Sequence, residues 1–355
     1  MAVRNIMTEQ IQKTIGDIIE PASGRKLDEL KMITSVDVSD SGDITVEVEL
    51  PTPAFPQPEQ IEQAIVAAFP DQNVAVNFRS TVKGDITGGK VGLKVKHVIA
   101  VGSGKGGVGK STMAASIAYG LSSYGAKVGL LDADVYGPSI PHMAGAEGPP
   151  AMVRYETPDG QTYERMQPVE ANGVKLMSIG FIVPPEQAIV WRGPMLHKAL
   201  TDFLQRTDWG ELDYLIVDMP PGTGDVALTL SQLLNLSGAV VVCTPQQVAL
   251  LDAVKAINMF RQVKIPVLGI VENMTGDIFG RGGAKEKAEE MSVPFLGELP
   301  IEANVREQGD AGKIAALLNE ESPSRDSLRG ICEQVALQIA LNQLSAPALP
   351  TLEIL

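Results

Sequence analysis

The sequence predicts an α/β protein in which a mainly parallel sheet carries helices on both faces and a small α+β domain comes first. From residue 97 onward, short apolar runs alternate with longer helical stretches, and the runs are apolar on both faces, as in a covered parallel sheet. Before residue 82, the strands instead alternate apolar and polar residues, as half-buried strands do. The 355 residues, of which 44% are hydrophobic, also suffice for about two domains with their own cores.

The small domain is assigned to residues 1–82. Its first helix is expected from Met7 to Ile19, where isoleucines recur at helical spacing. Two strands with period-two alternation follow between Ile33 and Leu50, before a loop with four prolines. A second helix then starts near Ile61, and a closing strand covers Val74 to Phe78.

The second domain is assigned to residues 97–345, after a glycine-containing linker at 83–96 and before a tail at 346–355. Residues 145–172 are rich in proline and glycine and are expected to form an irregular excursion or a β-hairpin. A last helix is expected to start at Ser324. Seven apolar runs are predicted to be the strands of the sheet: Val98–Val101, Val128–Leu131, Val174–Ile179, Tyr214–Val217, Ala239–Cys243, Val267–Val271 and Phe295–Leu299.

Charge and cysteine content exclude several classes of protein. The 29 Lys and Arg residues against 43 Asp and Glu give a net charge of -14, which disfavours a broad grip on nucleic acid or anionic lipid. Two cysteines cannot form a disulfide framework or a four-cysteine metal site within one chain. No apolar run reaches the ~18 residues of a membrane span, and the N-terminal residues do not show the apolar stretch expected of a signal peptide. A cytoplasmic protein without nucleic-acid or membrane partners is therefore expected.

A glycine-rich loop directly follows the first strand of the second domain. Counted from Gly104, it fits the pattern of Gly, four residues and Gly-Lys-Ser that defines a phosphate-binding P-loop. Its backbone N–H groups and the positive end of the next helix would bind phosphates, Lys110 would neutralise them, and Ser111 would ligate Mg2+. The alternative is a structural glycine-rich turn. The expected nucleotide contacts are Gly104, Lys105, Gly106, Gly107, Val108, Gly109, Lys110, Ser111 and Thr112.

Carboxylates follow two further strands of the same predicted sheet. Asp132 and Asp134 end one strand, and Asp218 ends the apolar strand that starts at Tyr214, as in a Walker B motif. The carboxyl ends of parallel strands share one edge of a sheet, so these groups should lie near the P-loop. Asp218 would hold a metal-bound water. For the first pair the alternative is turn or helix capping, and Asp225 is itself interpreted as a helix cap.

The extra lysine in the loop, Lys105, makes this stretch resemble the deviant Walker A motif of the MinD/ParA/nitrogenase-iron-protein group of ATPases. The resemblance implies an ATP-sandwich homodimer in which Lys105 reaches the partner's nucleotide, although a cation in the loop can act in cis or in trans. It also implies that Asp134 orients or deprotonates the attacking water and that Asp132 supports the Mg2+ shell. Asn273, after another strand, would read the adenine edge; a surface turn residue is the alternative.

Longer stretches resemble one subfamily, the Mrp/ApbC iron-sulfur cluster carrier ATPases. The resemblance spans residues 95–340, and residues 7–80 resemble the PaaD-like iron-sulfur assembly domain often fused in front of these proteins. The stretches that carry it are Asp132-Ala133-Asp134-Val135-Tyr136-Gly137-Pro138-Ser139, Trp191-Arg192-Gly193-Pro194-Met195-Leu196-His197-Lys198-Ala199, Asp218-Met219-Pro220-Pro221-Gly222-Thr223-Gly224-Asp225 and Thr244-Pro245-Gln246-Gln247.

The ligands that the family uses for a cluster are missing from this chain. The carriers bind a [4Fe-4S] cluster between two subunits through Cys-x-x-Cys after the adenine-reading asparagine, but here residues 273–283 contain no cysteine. The small domain often has a cysteine where this chain has Phe55. Cys243 and Cys332 lie in apolar surroundings and are interpreted as core residues. The three histidines, His97, His142 and His197, offer no replacement cluster.

The expected function is that of an ATP-hydrolysing, magnesium-dependent homodimer of iron-sulfur cluster assembly. The resemblance implies a [4Fe-4S] cluster, with iron-sulfur assembly proteins or apo-proteins as partners. The alternative is a nucleotide-gated homodimeric switch that organises protein partners without carrying a cluster. A poor ATPase kept as an adaptor is a third hypothesis, against which the intact Lys105, Lys110, Ser111, Asp134 and Asp218 weigh.

Overall fold

A computed structural model describes residues 2–86, 89–157, 159–183, 193–222, 225–319 and 322–345. The chain forms two compact units, the first made of Met1–Lys83 and Ala336–Leu355 and the second of Gly84–Val335. The first unit thus takes in residues 336–345, which are predicted from the sequence to belong to the second domain. The predicted tail at 346–355 lies outside the described residues.

The first unit contains a three-stranded sheet with two helices. The strands stand in the order β1-β2-β3, with β1 antiparallel and β3 parallel to β2. Alternate residues of β2 are buried, because the strand turns one face to the core and the other outward. That core also includes Leu337 from the C-terminal stretch. The elements are α1 (Ala2–Gly16), β1 (Ile33–Val38), β2 (Ile44–Leu50), α2 (Pro58–Ala67) and β3 (Val74–Ser80).

The second unit contains an eight-stranded sheet, a hairpin and most of the helices. The strands are β4 (Lys94–Gly102), β5 (Val128–Asp132), β6 (Met152–Glu156), β7 (Thr162–Met166), β8 (Val169–Ala171), β9 (Val174–Ser178), β10 (Glu211–Asp218), β11 (Leu236–Cys243), β12 (Val267–Thr275) and β13 (Phe295–Pro300). The helices are α3 (Lys110–Ser123), α4 (Ile140–Ala144), α5 (Gly193–Arg206), α6 (Asp225–Leu233), α7 (Gln247–Gln262), α8 (Gly283–Glu290), α9 (Ala303–Asp310), α10 (Ala316–Asn319) and α11 (Pro323–Ser345), whose last residues belong to the first unit. Two 3-10 turns cover Gly89–Val91 and Ile179–Phe181.

The large sheet has the strand order β13-β12-β11-β4-β10-β5-β9-β8. Every neighbouring pair is parallel except β8 with β9. β4 lies in the middle, β10 lies between β4 and β5, and the burial of β4, β5, β10 and β11 is nearly continuous, as expected for a sheet flanked by helices. The loops that follow these strands therefore start from the same edge of the sheet.

The predicted fold class is confirmed. All seven predicted strands are present, and the last helix starts at Pro323, one residue before its expected position. Within residues 145–172, β6 and β7 pair as an antiparallel hairpin, which is the second of the two expected forms. Among the described residues, no helix is both long and apolar enough to cross a bilayer.

Candidate nucleotide-binding site

The P-loop connects β4 to α3 through backbone conformations that suit glycine. Gly107 has φ +78° and Gly109, the residue that precedes α3, has φ +82°, both in the left-handed region that side chains rarely adopt. At Gly104 the limit is space, because a Cβ atom would lie 2.0 Å from the carbonyl oxygen of Asp252 on α7. The loop thus packs closely against α7 at Gly104 and leads directly into α3 at Gly109. Successive backbone N–H groups in such a loop can form an anion-binding nest.

Lys110 is the centre of a buried charge cluster. Its Nζ atom lies 2.6 Å from Oδ1 of Asp218 and 3.4 Å from Oδ2 of Asp134, and donates to Ser111 Oγ at 3.0 Å. Only 6% of the lysine is exposed. Four residues from three separate stretches of the sequence therefore meet at one edge of the sheet.

Asp218 ends β10 and is fully buried. Burial raises the pKa of its carboxyl above the ordinary value, while the charge of Lys110 and hydrogen bonds from Lys110 and Ser111 oppose the rise. Its second oxygen, Oδ2, is buried and has no hydrogen-bond partner within the described structure. Asp218 and the Ser111 hydroxyl both contact Lys110, and their oxygens are a donor set that suits Mg2+, which prefers oxygen ligands and usually adds waters and substrate phosphates.

Asp132 ends β5 and has a different environment from Asp218. Its Oδ1 accepts from the backbone N–H of Asp134 at 3.1 Å, and its Oδ2 accepts from the N–H of Ile140 at 3.3 Å and from Ser178 Oγ at 3.0 Å. Burial, together with the nearby Asp218, raises the pKa of Asp132 to about 8, which the hydrogen bonds from Ser178 and Ile140 oppose. Ser178 was not among the predicted site residues, since a single serine at a strand end carries no motif.

Lys105 lies in the P-loop, five residues before Lys110. Its carbonyl oxygen accepts from Ser103 Oγ at 2.9 Å, which shapes the start of the loop. Its side chain is half-buried and, within the described part of the chain, forms no ion pair. A cavity of about 220 Å³ is lined by residues of the P-loop, Lys105 and Lys110 among them, together with Asp134 and Pro221.

A second, larger cavity adjoins the start of α3. It has a volume of about 620 Å³, and Thr112, Asn273, Met274 and Arg306 are among the lining residues. The Nδ2 atom of Asn273 donates to the carbonyl oxygen of Val108 in the P-loop at 2.8 Å, and only 5% of this residue is exposed. Asn273 therefore fixes the P-loop backbone and lines the adjacent cavity at the same time.

The loop after Asp218 is also tied to the P-loop. The N–H of Gly222 donates to the carbonyl oxygen of Ser103 at 2.9 Å, and the N–H of Met219 donates to that of Val101 at 3.0 Å. Thr223 and Gly224 lie outside the described residues, as do Trp191 and Arg192 of the second resembling stretch, and the side chain of Asp225 is not described. The expected cap by Asp225 stays a prediction.

The segment after Asn273, where the resembling carriers have their cysteines, is a closed turn. Gly276 and Gly280 exchange backbone hydrogen bonds of 3.0 and 2.7 Å. The buried carboxylate of Glu272 accepts from the N–H of Gly282 at 2.7 Å and from that of Ala284, at the start of α8. Glu272 thus holds the end of the turn against the start of α8, so the short segment has a defined structure of its own.

The two cysteines do not fit the ligand set of a cluster. Cys243 and Cys332 are each 1% exposed, and burial raises the pKa of both thiols to about 12. Cys332 Sγ contacts the carbonyl oxygen of Ser116 on α3 at 3.6 Å. Cluster iron needs accessible thiolates. In the part of the chain that the structure describes, no group of three or more His, Cys, Asp or Glu residues is arranged to hold a metal ion.

Two family profiles match the chain. The profile of the ParA group, described as NUBPL iron-transfer P-loop NTPase, matches residues 94–336. A profile described as iron-sulfur cluster assembly protein matches residues 8–76. The two matches correspond to the two resemblances that the sequence suggested.

Individual relatives agree with these profiles. An iron-sulfur cluster carrier protein of Deinococcus radiodurans is 45% identical over 354 residues, which cover 96% of this chain and 97% of that protein. A nucleotide-binding protein of Archaeoglobus fulgidus, solved in complex with ADP, is 39% identical with a TM-score of 0.54, and the match covers 66% of this chain and 91% of that one. The cell division ATPase MinD of Pyrococcus furiosus, at 20% identity and a TM-score of 0.50 over 67% of this chain and 98% of its own, shares the fold.

Proposed function

The chain belongs to the NUBPL iron-transfer family of P-loop NTPases, and from this premise we propose that it binds and hydrolyses ATP to drive iron-sulfur cluster transfer to apo-proteins. The observation that carries the proposal is the buried cluster of Lys110 with Asp218, Asp134 and Ser111 at the P-loop. A lysine held between carboxylates at a nest for anions is suited to exchange one of them for a phosphate.

The phosphates would lie in the P-loop from Gly104 to Thr112, against its backbone N–H groups. Ser111 and Asp218 would hold Mg2+, directly or through water, which neutralises phosphate charge when bound. Lys110 already pairs with Asp218 at 2.6 Å, so its ammonium would bridge this carboxylate and the terminal phosphate. Lys105, half-buried beside the same cavity, would add positive charge in the transition state, within its own site or that of a second copy.

Asp134 is the residue that we assign to the attacking water. Its carboxylate faces the P-loop cavity and lies 3.4 Å from Lys110, where its oxygens would accept a proton or a hydrogen bond from water. Asp132 was expected to support the Mg2+ shell. Since both of its oxygens accept hydrogen bonds from neighbouring groups, we propose that its support acts through the turn that it holds.

The cavity of about 620 Å³ beside Gly109 is proposed to receive the nucleoside. Asn273 lines it, as expected of the residue that reads adenine. Its Nδ2 atom is already committed to Val108, which leaves Oδ1 to accept from the adenine amino group.

The iron-sulfur cluster is treated as the transported substrate, and its ligands are not supplied by the described thiols of this chain. The buried state of Cys243 and Cys332 therefore favours a second candidate function. In that alternative, the ATP cycle switches a homodimer that organises cluster-bearing partner proteins without binding a cluster itself.

Nucleotide binding and turnover test the first part of the proposal. Lys110→Ala is expected to abolish ADP and ATP binding, measured by calorimetry, because the loop loses its main cation. Asp134→Ala is expected to bind ATP and lower turnover by at least about 100-fold, within the ~10²–10⁴-fold contribution of general base catalysis. Lys285→Ala, at an exposed position, serves as the matched control. Turnover at the wild-type rate by Asp134→Ala would show that another residue positions the water.

Anaerobic reconstitution separates the two candidate functions. The protein is incubated with iron and sulfide, desalted, and examined for iron content and for thiolate-to-iron absorption. The carrier function predicts bound iron that transfers to an apo-ferredoxin, whereas the switch predicts a colourless protein that still hydrolyses ATP. A cluster bound equally well by a Cys243→Ser, Cys332→Ser double variant would show that other groups ligate it.

A further inference from the structure

We propose that Ser178 is a positioning residue for ATP hydrolysis: through its hydrogen bond to Asp132 it holds the turn that carries Asp134. The inference rests on the proposed ATPase function and adds a residue that no motif of the sequence identifies. It concerns catalysis alone, since Ser178 lies behind Asp132 and does not line either cavity beside the P-loop.

Ser178 and Asp132 face each other at the ends of two neighbouring strands. β9 ends at Ser178 and β5 ends at Asp132, and the two residues are register partners in the parallel pairing. Both side chains are fully buried. Their hydrogen bond of 3.0 Å is therefore shielded from water, which makes it stronger than the same contact at a surface.

The hydroxyl of Ser178 has a fixed direction. Its oxygen accepts from the backbone N–H of Gly180 at 3.0 Å, so its single proton is left to be donated to Asp132. The start of the 3-10 turn at Ile179 thus orients the serine, and the serine orients the carboxylate.

Asp132 in turn holds both ends of the segment that carries the catalytic aspartate. Its Oδ1 accepts from the N–H of Asp134 and its Oδ2 from the N–H of Ile140, at the start of α4. The contact to Ile140 is 3.3 Å, longer than the 3.0 Å contact from Ser178. Without the serine, Oδ2 would keep only the weaker of its two donors, and the carboxylate could rotate away from Asp134.

Such a rotation would affect turnover more than binding. A displacement of ~1 Å of a catalytic group costs about 100-fold in rate. The groups expected to bind phosphates belong to the P-loop, and none of the hydrogen bonds found for Ser178 joins it to that loop. The expected signature of a lost Ser178 hydroxyl is therefore a lower kcat with unchanged nucleotide affinity.

The test compares Ser178→Ala with Ser178→Thr and Ser116→Ala. Ser116 is an ideal matched control, because it is also a buried serine of this unit, but its hydroxyl has no hydrogen-bond partner in the described structure. We expect Ser178→Ala to lower kcat about tenfold, less than the ~100-fold of a full displacement because two of the three donors to Asp132 remain. ADP affinity should stay within about twofold. Ser178→Thr should recover most of the rate, and Ser116→Ala should match the wild type.

Each other outcome overturns the inference. Wild-type kcat in Ser178→Ala would show that Asp132 keeps its orientation without the serine. An equal loss of ADP affinity and kcat, or the same loss in Ser116→Ala, would show that the hydroxyl serves the fold of the whole unit. If Ser178→Ala does not fold, Ser178→Cys, which keeps the volume with a much weaker donor, takes its place with the same expected loss. A wild-type protein without ATP turnover would overturn the proposed function itself, and the inference with it.

Discussion

A small cluster of buried charged residues determines the chemistry available at the P-loop. Lys110 is shared by two carboxylates and a hydroxyl, and Asp218 keeps one oxygen without a partner in the described structure. Burying such groups costs free energy unless they pair, so a cluster of this kind marks a site built for further charged ligands. The residues of the cluster could be predicted from the sequence because each belongs to a motif with a fixed place at the carboxyl end of a strand.

Contacts between those motifs could not be predicted in the same way. Ser178 meets Asp132 across 46 positions of the chain, and Asn273 meets Val108 across 165. Neither contact follows from periodicity, since it depends on which strands are neighbours in the sheet. No motif indicates that Asp132 accepts hydrogen bonds from both the turn after β5 and Ser178 on β9.

The burial of the two cysteines predicts that their thiols react slowly. Burial raises the pKa of Cys243 and Cys332 to about 12, so both stay protonated at pH values where an ordinary thiol ionises. A shift of about three pKa units lowers the thiolate fraction about 1,000-fold, and burial restricts access as well. Alkylation of the native protein should therefore be at least about 1,000-fold slower than in denaturant. Because pH 7.5 to 9 lies well below a pKa of about 12, this slow reaction should still rise about tenfold per pH unit, whereas alkylation of a free thiol levels off above its pKa of ~8.5. Rapid labelling of either cysteine in the native protein would contradict its buried placement.

At the scale of elements, the seven strands were predictable because a strand covered on both faces is a continuous apolar run. The form of residues 145–172 was not, because the hairpin pairs strands that alternate with little apolar content, and both an irregular loop and a hairpin satisfy that composition. The P-loop was predictable as a loop, but the approach of α7 to Gly104 was not. That approach depends on tertiary packing between two distant stretches.

The contact between the P-loop and α7 can be tested directly. Gly104→Ala would place its Cβ atom 2.0 Å from the carbonyl oxygen of Asp252, so either the loop or the helix must move. We expect a loss of about 2–3 kcal/mol in the free energy of unfolding, the upper part of the range for overpacking. Gly106→Ala is the matched control, because its Cβ atom would meet only Pro221, at 3.9 Å. The free energies of unfolding of the two variants are measured in urea without nucleotide. Equal values for Gly104→Ala and Gly106→Ala would contradict the tight packing at Gly104.

At the scale of the molecule, exposed apolar side chains collect at the edge of the sheet that bears the P-loop. Val248 and Leu251, in the first turns of α7, are 67% and 62% exposed, and Ile278, in the turn after β12, is 75% exposed. In a chain with a net charge of -14, such a surface favours contact with another apolar surface over contact with a polyanion. It is compatible with the homodimer that the extra lysine suggests.

Sedimentation tests this dimer. With ATP and Mg2+, the turnover-blocked Asp134→Ala variant is expected to sediment as a dimer, whereas adding Leu251→Asp should return it to a monomer because the charge is buried unpaired at the interface. Met152→Asp is the matched control, since Met152 is an exposed apolar residue of the hairpin, 50% exposed, away from this edge. A strict monomer of Asp134→Ala with ATP would contradict the homodimer.

The first unit combines two separate stretches of the sequence, and this affects when its core can form during synthesis. Its core includes Leu337, and Leu341 and Leu344 pack against that core, although the rest of the unit is encoded in the first 83 residues. A chain leaves the ribosome N-terminus first, and domains generally fold as they emerge. The small unit, although translated first, therefore completes its core last, after the whole P-loop unit has been synthesised.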